Sequence, residues 1–164
     1  MPTAQEWIDS LGLEPHVEGG YFRRTYQADH RPAVPTPSGD RFAVTAIHYL
    51  LTHWSPIGHW HLNRSDILHF HHHGEPITYH LLHPDGRYGR AVLGQDPGRG
   101  ELLTLAVPGG VWKASHLESG DHGLISEAVV PGFDYADMTL GRVDDLLRRF
   151  PGHEELVRRY CRPA

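Results

Sequence analysis

The stretch GHWHLNRSDILHFHHHGEP, residues 58–76, holds six of the chain's 15 histidines. A neutral imidazole can ligate a metal or carry a proton near pH 7, so this concentration points to coordination of a divalent ion or to acid–base catalysis. His59 and His61 lie two apart in a segment that reads as a strand, where side chains two apart share a face, so both rings are expected to converge on one point. By the same period His69 and His71 share one face of the next strand and His72 lies on the other, with His72 and His73 beside Gly74 reading as a solvated strand end. Glu127, in the apolar run LISEAVV, either binds something or lies on an edge strand facing water, because a buried carboxylate needs a partner. Two or three imidazoles and a carboxylate suit Zn, Fe(II), Mn or Ni, whereas the same imidazoles without an ion would be packed or hydrogen-bonded groups of a polar pocket.

The elements that must position these groups are short. From Arg41 onward the chain is a series of apolar runs, FAVTAIHYLL, GHWHL, ILHFHHH, ITYHLL, YGRAVL, LLTLAVP, VWKASHL and GLISEAVV, broken by Gly, Pro, Asp or Asn. Regular short strands with turn signals between them predict an all-β sandwich or barrel from about Arg41 to Val130. Ahead of it, Thr3 and Glu6 form a capping-box pattern, and Trp7, Ile8 and Leu11 supply the apolar stripe of a short helix that Gly12 closes. GGYFRRTYQ reads as extended, and HRPAVPTPSGD as a proline-rich loop that no strand could contain. At the other end GRVDDLLRRFPGHEELVRRY reads as two short helices split by Pro151-Gly152, acids early and arginines late in each.

Length and composition narrow the function classes. The 164 residues suffice for one domain with a real core. A net charge of −5 with dispersed arginines gives no field for phosphates, so nucleic acid is not an expected partner. No apolar run approaches the roughly 20 residues that span a bilayer, so no membrane partner is expected. The start lacks the basic and apolar regions of a signal peptide and the single Cys161 excludes an internal disulfide, so the expected location is the cytoplasm. No P-loop or dinucleotide fingerprint is present.

Five blocks, LGLEPHVEGGYFRRTY, SDILHFHHHGEP, LLHPDG, VPGGVWKASHL and VVPGFDYADM, occur in an order that resembles the cupin_5 (DUF985) family of the RmlC-like cupins, from about Leu11 to Tyr160. The resemblance implies a double-stranded β-helix, or jelly-roll barrel, with a central ligand pocket. It also implies that His16, Glu18, Tyr21, Arg23 and Tyr26 come near the pocket mouth, with Phe133 and Tyr135 sealing the barrel. The alternative for the first group is structural: Gly19-Gly20 permitting a tight turn, Tyr21 and Phe22 packing. The cupin metal pattern, G-x5-H-x-H-x3,4-E-x6-G followed by P-x-G-x2-H, is only half kept. Both histidines of H-x-H stand, as His59 and His61, but the acidic position falls on Ile67, beside Asp66, and the later histidine position falls on Lys113.

Replacement ligands are expected from His69, His71 or Glu127, with His116 as a further candidate and Lys113 as a rim charge that contacts an anionic ligand. The expected metal ligands are thus His59, His61, His69 and His71. The expected catalytic groups are Glu127, His116 and Tyr21, and the expected substrate contacts Glu18, Arg23, Lys113 and Phe133. The function this suggests is a divalent-metal-dependent isomerase, epimerase or lyase for a small polar molecule. A metal-free epimerase-like enzyme and a non-catalytic binding barrel are the alternatives. Open sheet edges and the extended N-terminal segment favour a homodimer built by strand augmentation.

Overall fold

The structure, a computed structural model, describes residues 1–164. Helix α1 (Ala4–Leu11) is followed by strands β1 (Glu14–Pro15), β2 (Tyr21–Gln27), β3 (Val34–Thr36), β4 (Gly39–Arg41), β5 (Thr45–Thr52), β6 (Ile57–Asn63), β7 (Asp66–Gly74) and β8 (Ile77–Leu82). Then come β9 (Tyr88–Leu93), β10 (Thr104–Val107), β11 (Trp112–His116), β12 (His122–Val130), β13 (Met138–Leu140), α2 (Val143–Arg149) and α3 (Glu154–Tyr160). The strands form a six-stranded sheet, β1-β2-β5-β12-β7-β10, and a five-stranded sheet, β13-β6-β11-β8-β9, all antiparallel. Their inner faces enclose a core that includes Tyr49, Leu51, Ile77, Tyr79, Leu93 and Ile125. The expected jelly-roll barrel is therefore present, and no helix is long and apolar enough to cross a membrane.

Each helix covers an outer face. The Thr3 side chain and Glu6 cap α1 reciprocally, Gly12 closes it in the left-handed conformation, and Trp7, Ile8 and Leu11 pack on Leu50 and Leu124 of the six-stranded sheet. Helices α2 and α3 lay Leu146, Val157 and Tyr160, together with the Phe150 that follows α2, over Trp60, Leu82, Trp112 and Ala114 of the five-stranded sheet. The buried Leu146 and Val157 side chains contribute roughly 1.5–3 kcal/mol each by leaving water.

One local expectation fails. Val34–Thr36, inside the supposed proline-rich loop, pairs with Gly39–Arg41. A two-stranded ribbon leaves each strand an open edge, so Pro35 need not break a ladder bond. Arg41 at its end makes two hydrogen bonds to Asp137, 2.6 and 3.0 Å, tying the ribbon to the segment just beyond Phe133–Tyr135.

Candidate active site in the barrel

A cavity of about 390 Å³ opens between the sheets. Phe22, Ile47, Ile67, Val129 and Phe133 give it apolar walls, and Glu18, His61, Asn63 and Glu127 supply polar groups. That mixture of apolar lining and a few convergent polar groups is the usual character of a small-molecule site.

Glu18 reaches the cavity from a tight turn. The amide of His16 donates to Gly20 O and that of Gly19 to His16 O, and Gly19 and Gly20 adopt φ values of +100° and +69° that side chains with a Cβ rarely accept. The turn is docked on the barrel: His59 N donates to Glu18 O at 2.6 Å, Tyr49 OH to Gly19 O at 2.7 Å, and Gly20 N to Ser55 Oγ at 2.9 Å. Thus the glycine pair does serve a tight turn, and the turn carries Glu18 into the cavity wall.

His61 faces Glu18, with Nε2 3.2 Å from Glu18 Oε2. Its Nδ1 lies 2.7 Å from His59 O, and because a carbonyl only accepts, Nδ1 carries a proton. One further proton then lies between Nε2 and the carboxyl. Burial pushes Glu18 up to about 7 against the opposing pull of Lys113, and burial holds His61 well below the ordinary histidine range. Both directions place that proton on Glu18 in the acid form of the pair, where it is donated to the His61 lone pair. His16 accepts a hydrogen bond at Nδ1 from Glu18 N, 3.1 Å, and burial lowers its affinity for a second proton.

Behind this pair lie His69 and Lys113, both buried. His69 Nδ1 donates to Leu105 O at 3.0 Å, which leaves Nε2 as the acceptor for Lys113 Nζ at 2.8 Å. Glu127 Oε1 is 3.7 Å from the same Nε2. Burial lowers Lys113 and raises Glu127, while the attraction between the two opposes both shifts.

His59 does not join His61. Gly58 pairs with Ser115 and His61 with Lys113, so His59 and Trp60 together oppose the single Ala114 in a β-bulge. The extra residue breaks the two-residue period: Trp60 packs under the helices, and His59 lies outside the cavity with Nδ1 3.2 Å from Tyr160 O. The expected H-x-H pair is therefore split between two faces.

The other expected site residues divide similarly. Glu18, His61, Glu127 and Phe133 line the cavity, and His69 lies behind it. His71 is buried further along the barrel, where Nε2 donates to Glu75 O at 3.1 Å, and it does not line the cavity. His72 faces out, as expected, with Nε2 2.6 Å from Ser126 Oγ. His116 lies on the helix-covered side, Nδ1 3.0 Å from Tyr160 OH. Tyr21 packs beside α1 and accepts from Trp54 Nε1 at 3.0 Å, and Arg23 is exposed, paired with His48. Strand alternation turns Phe22 and Arg24 toward the cavity and their neighbours Tyr21 and Arg23 away. Lys113 is not a rim charge; it pairs across strands with His61 and points inward beneath the cavity.

Asn63 and Arg24 were not anticipated. Asn63 continues the inward alternation from His61, a signal present in the sequence, and its buried Oδ1 has no hydrogen-bond partner. Arg24 at the wall donates to Phe133 O at 3.3 Å.

This donor set does not fit a divalent ion. His59 is on another face, Ile67 stands where the acidic ligand was expected, and the His69 lone pair already accepts from the Lys113 amine. An ion bound at that nitrogen would meet the ammonium at contact distance, and like charges so close in a low-dielectric interior repel strongly.

Residues 5–141 match the family described as Cupin superfamily (DUF985). The chain is similar to the uncharacterized protein YML079W of Saccharomyces cerevisiae, 41% identical over 93% of this chain and 82% of that protein. In structure it is similar to a hypothetical protein from Leishmania major, with a TM-score of 0.91, 32% identity, and coverage of 99% of this chain and 100% of that one. An oxalate decarboxylase from Bacillus subtilis shares the fold alone, at 13% identity and a TM-score of 0.56 over 89% of this chain and 36% of that one. With the match spanning most of its length and the barrel confirming it, the chain belongs to the DUF985 family of the cupin superfamily.

Proposed function

We propose that the cavity binds a small polar molecule and that Glu18 and His61 move a proton on it, an isomerase or epimerase chemistry that uses no divalent ion. The observation that carries this reading is the 3.2 Å approach of Glu18 Oε2 to His61 Nε2 within the cavity. A carboxyl poised near pH 7 and an imidazole held neutral are matched for general acid–base work. In its basic form the pair removes a proton from the carbon beside a carbonyl, the C–H electrons shifting to the carbonyl oxygen. Return of the proton to the other face of that carbon completes epimerisation, whereas its delivery to the former carbonyl carbon, with the first carbon's hydroxyl proton passing to the former carbonyl oxygen, completes isomerisation. Asn63 Oδ1, buried and unpartnered, supplies an acceptor for a ligand hydroxyl. Oxalate decarboxylase from Bacillus subtilis has Mn(II) centres, but its likeness to this chain is of fold, and the ligand set here does not support the same cofactor.

The test is deuterium exchange. Aldoses, ketoses and α-hydroxy and α-keto acids are incubated with the protein in D2O and followed by proton NMR. Wash-in at the carbon beside the carbonyl, reduced about 100-fold or more by Glu18→Gln and by His61→Ala, is expected. Binding without exchange in any compound would instead identify a non-catalytic barrel.

A further inference from the structure

Lys113 is the chain's only lysine; every other basic position among its 15 Lys and Arg residues is an arginine. It is also buried inside the barrel, directly across from His61 and 2.8 Å from His69 Nε2. An ammonium is a compact point charge on a flexible stem, whereas a guanidinium is a broad planar fork, so only lysine among the permanent cations fits a site of ion-like size. Two carboxylates, Glu18 and Glu127, share that interior, and both feel Lys113 as the charge that opposes the effect of their burial.

We propose that Lys113 is a built-in cation: its ammonium, attached to the barrel, takes the position at His69 Nε2 that a divalent ion would need, excludes such an ion, and acts as a positioning residue for the Glu18–His61 pair. The last part rests on the proton-transfer reading, and the first does not. A buried carboxylate pair needs a compensating charge, and a tethered ammonium supplies it at all times without depending on metal supply. Lys113 does not itself line the cavity, so it acts on a ligand only through the lining residues Glu18, His61 and Glu127.

Metal binding and carboxyl titration test the two parts separately. Tag-free wild type, Lys113→Met, Lys113→Gln and Lys113→Met/His69→Ala are stripped with chelator, checked for fold by circular dichroism, and titrated with Co²⁺ by calorimetry and visible absorption. Expected is at least a tenfold gain in affinity for one equivalent of Co²⁺ in a folded Lys113 variant, lost in the double variant. Wild type binding Co²⁺ through His69, seen as loss on His69→Ala, overturns the proposal, as does a folded Lys113 variant that binds no better than wild type. If neither variant folds, the wild-type result decides, together with the side-chain signal of isotopically labelled lysine, a single residue here, which must show the ammonium form at pH 7. In the same variants the Glu18 carboxyl, followed by carbon NMR, should titrate higher than in the wild type. An unchanged Glu18 midpoint removes the positioning role while leaving the metal result standing, and failure of the deuterium-exchange experiment leaves both measurements intact.

Discussion

Glu18 and His61, 43 residues apart in sequence, face each other at 3.2 Å because the Gly19-Gly20 turn is docked on the backbone of the His59 bulge. The bulge turns His59 out of the barrel, returns His61 to it, and lends the His59 amide to the Glu18 carbonyl. One backbone irregularity thus sets the pair and removes the partner that a metal site would have used.

The pair should be visible in stability against pH. Glu18 has a folded value of about 7 against an ordinary 4.5, so between those values the folded chain keeps a proton that the unfolded chain releases. Stability from this group is fully present below about pH 4.5 and is lost as pH rises through 7, by up to about 3 kcal/mol. Glu18→Gln removes that slope, so its stability relative to wild type should climb between pH 4.5 and 7 in urea titrations; a pH-independent difference would refute the assignment.

His61 carries an opposite limb. Held well below the ordinary range by burial, it contributes stability above the unfolded histidine value that is lost as pH falls below it. Acid unfolding of His61→Gln followed by fluorescence should accordingly begin at lower pH than in the wild type.

His59 and His61 should separate cleanly. His59→Ala forfeits the contact with Tyr160 O, worth about 1 kcal/mol, and should leave ligand binding and exchange unchanged. His61→Ala should abolish exchange. Equal losses in the two variants would place both rings in the cavity and contradict the bulge.

Gly19 holds the turn at φ +100°, and a Cβ there would collide with the Ile57 carbonyl oxygen. Gly19→Ala should cost about 1–3 kcal/mol and also weaken ligand binding, since Glu18 is the adjacent residue. Thermal melts with and without ligand check both effects.

Asp137→Asn should lower the melting temperature by several degrees and raise the ligand's Kd, because the Arg41 contact anchors the chain next to the Phe133–Tyr135 wall. Calorimetric titration distinguishes this from a loss of fold alone.

The amino-acid sequence by itself determined an all-β sandwich or barrel, the capped N-terminal helix, the paired C-terminal helices and the face that His69 shares with His71. Each follows from local rules of periodicity, capping and turn residues that hold wherever the backbone is regular. Ordered motifs such as PHVEGGYF and VVPGFDYADM carried the family, and with it the expectation that Glu18 and Phe133 meet at a pocket. Tertiary structure decided which histidines work together. The period of two that joined His59 to His61 holds only in an unbroken strand, and the extra residue opposite Ala114 exists only in the pairing of β6 with β11. The same was true of Lys113: its charge suggested a rim, and only the cross-strand register with His61 put it inside the barrel beside His69, where its ammonium and not an ion faces the imidazole lone pair.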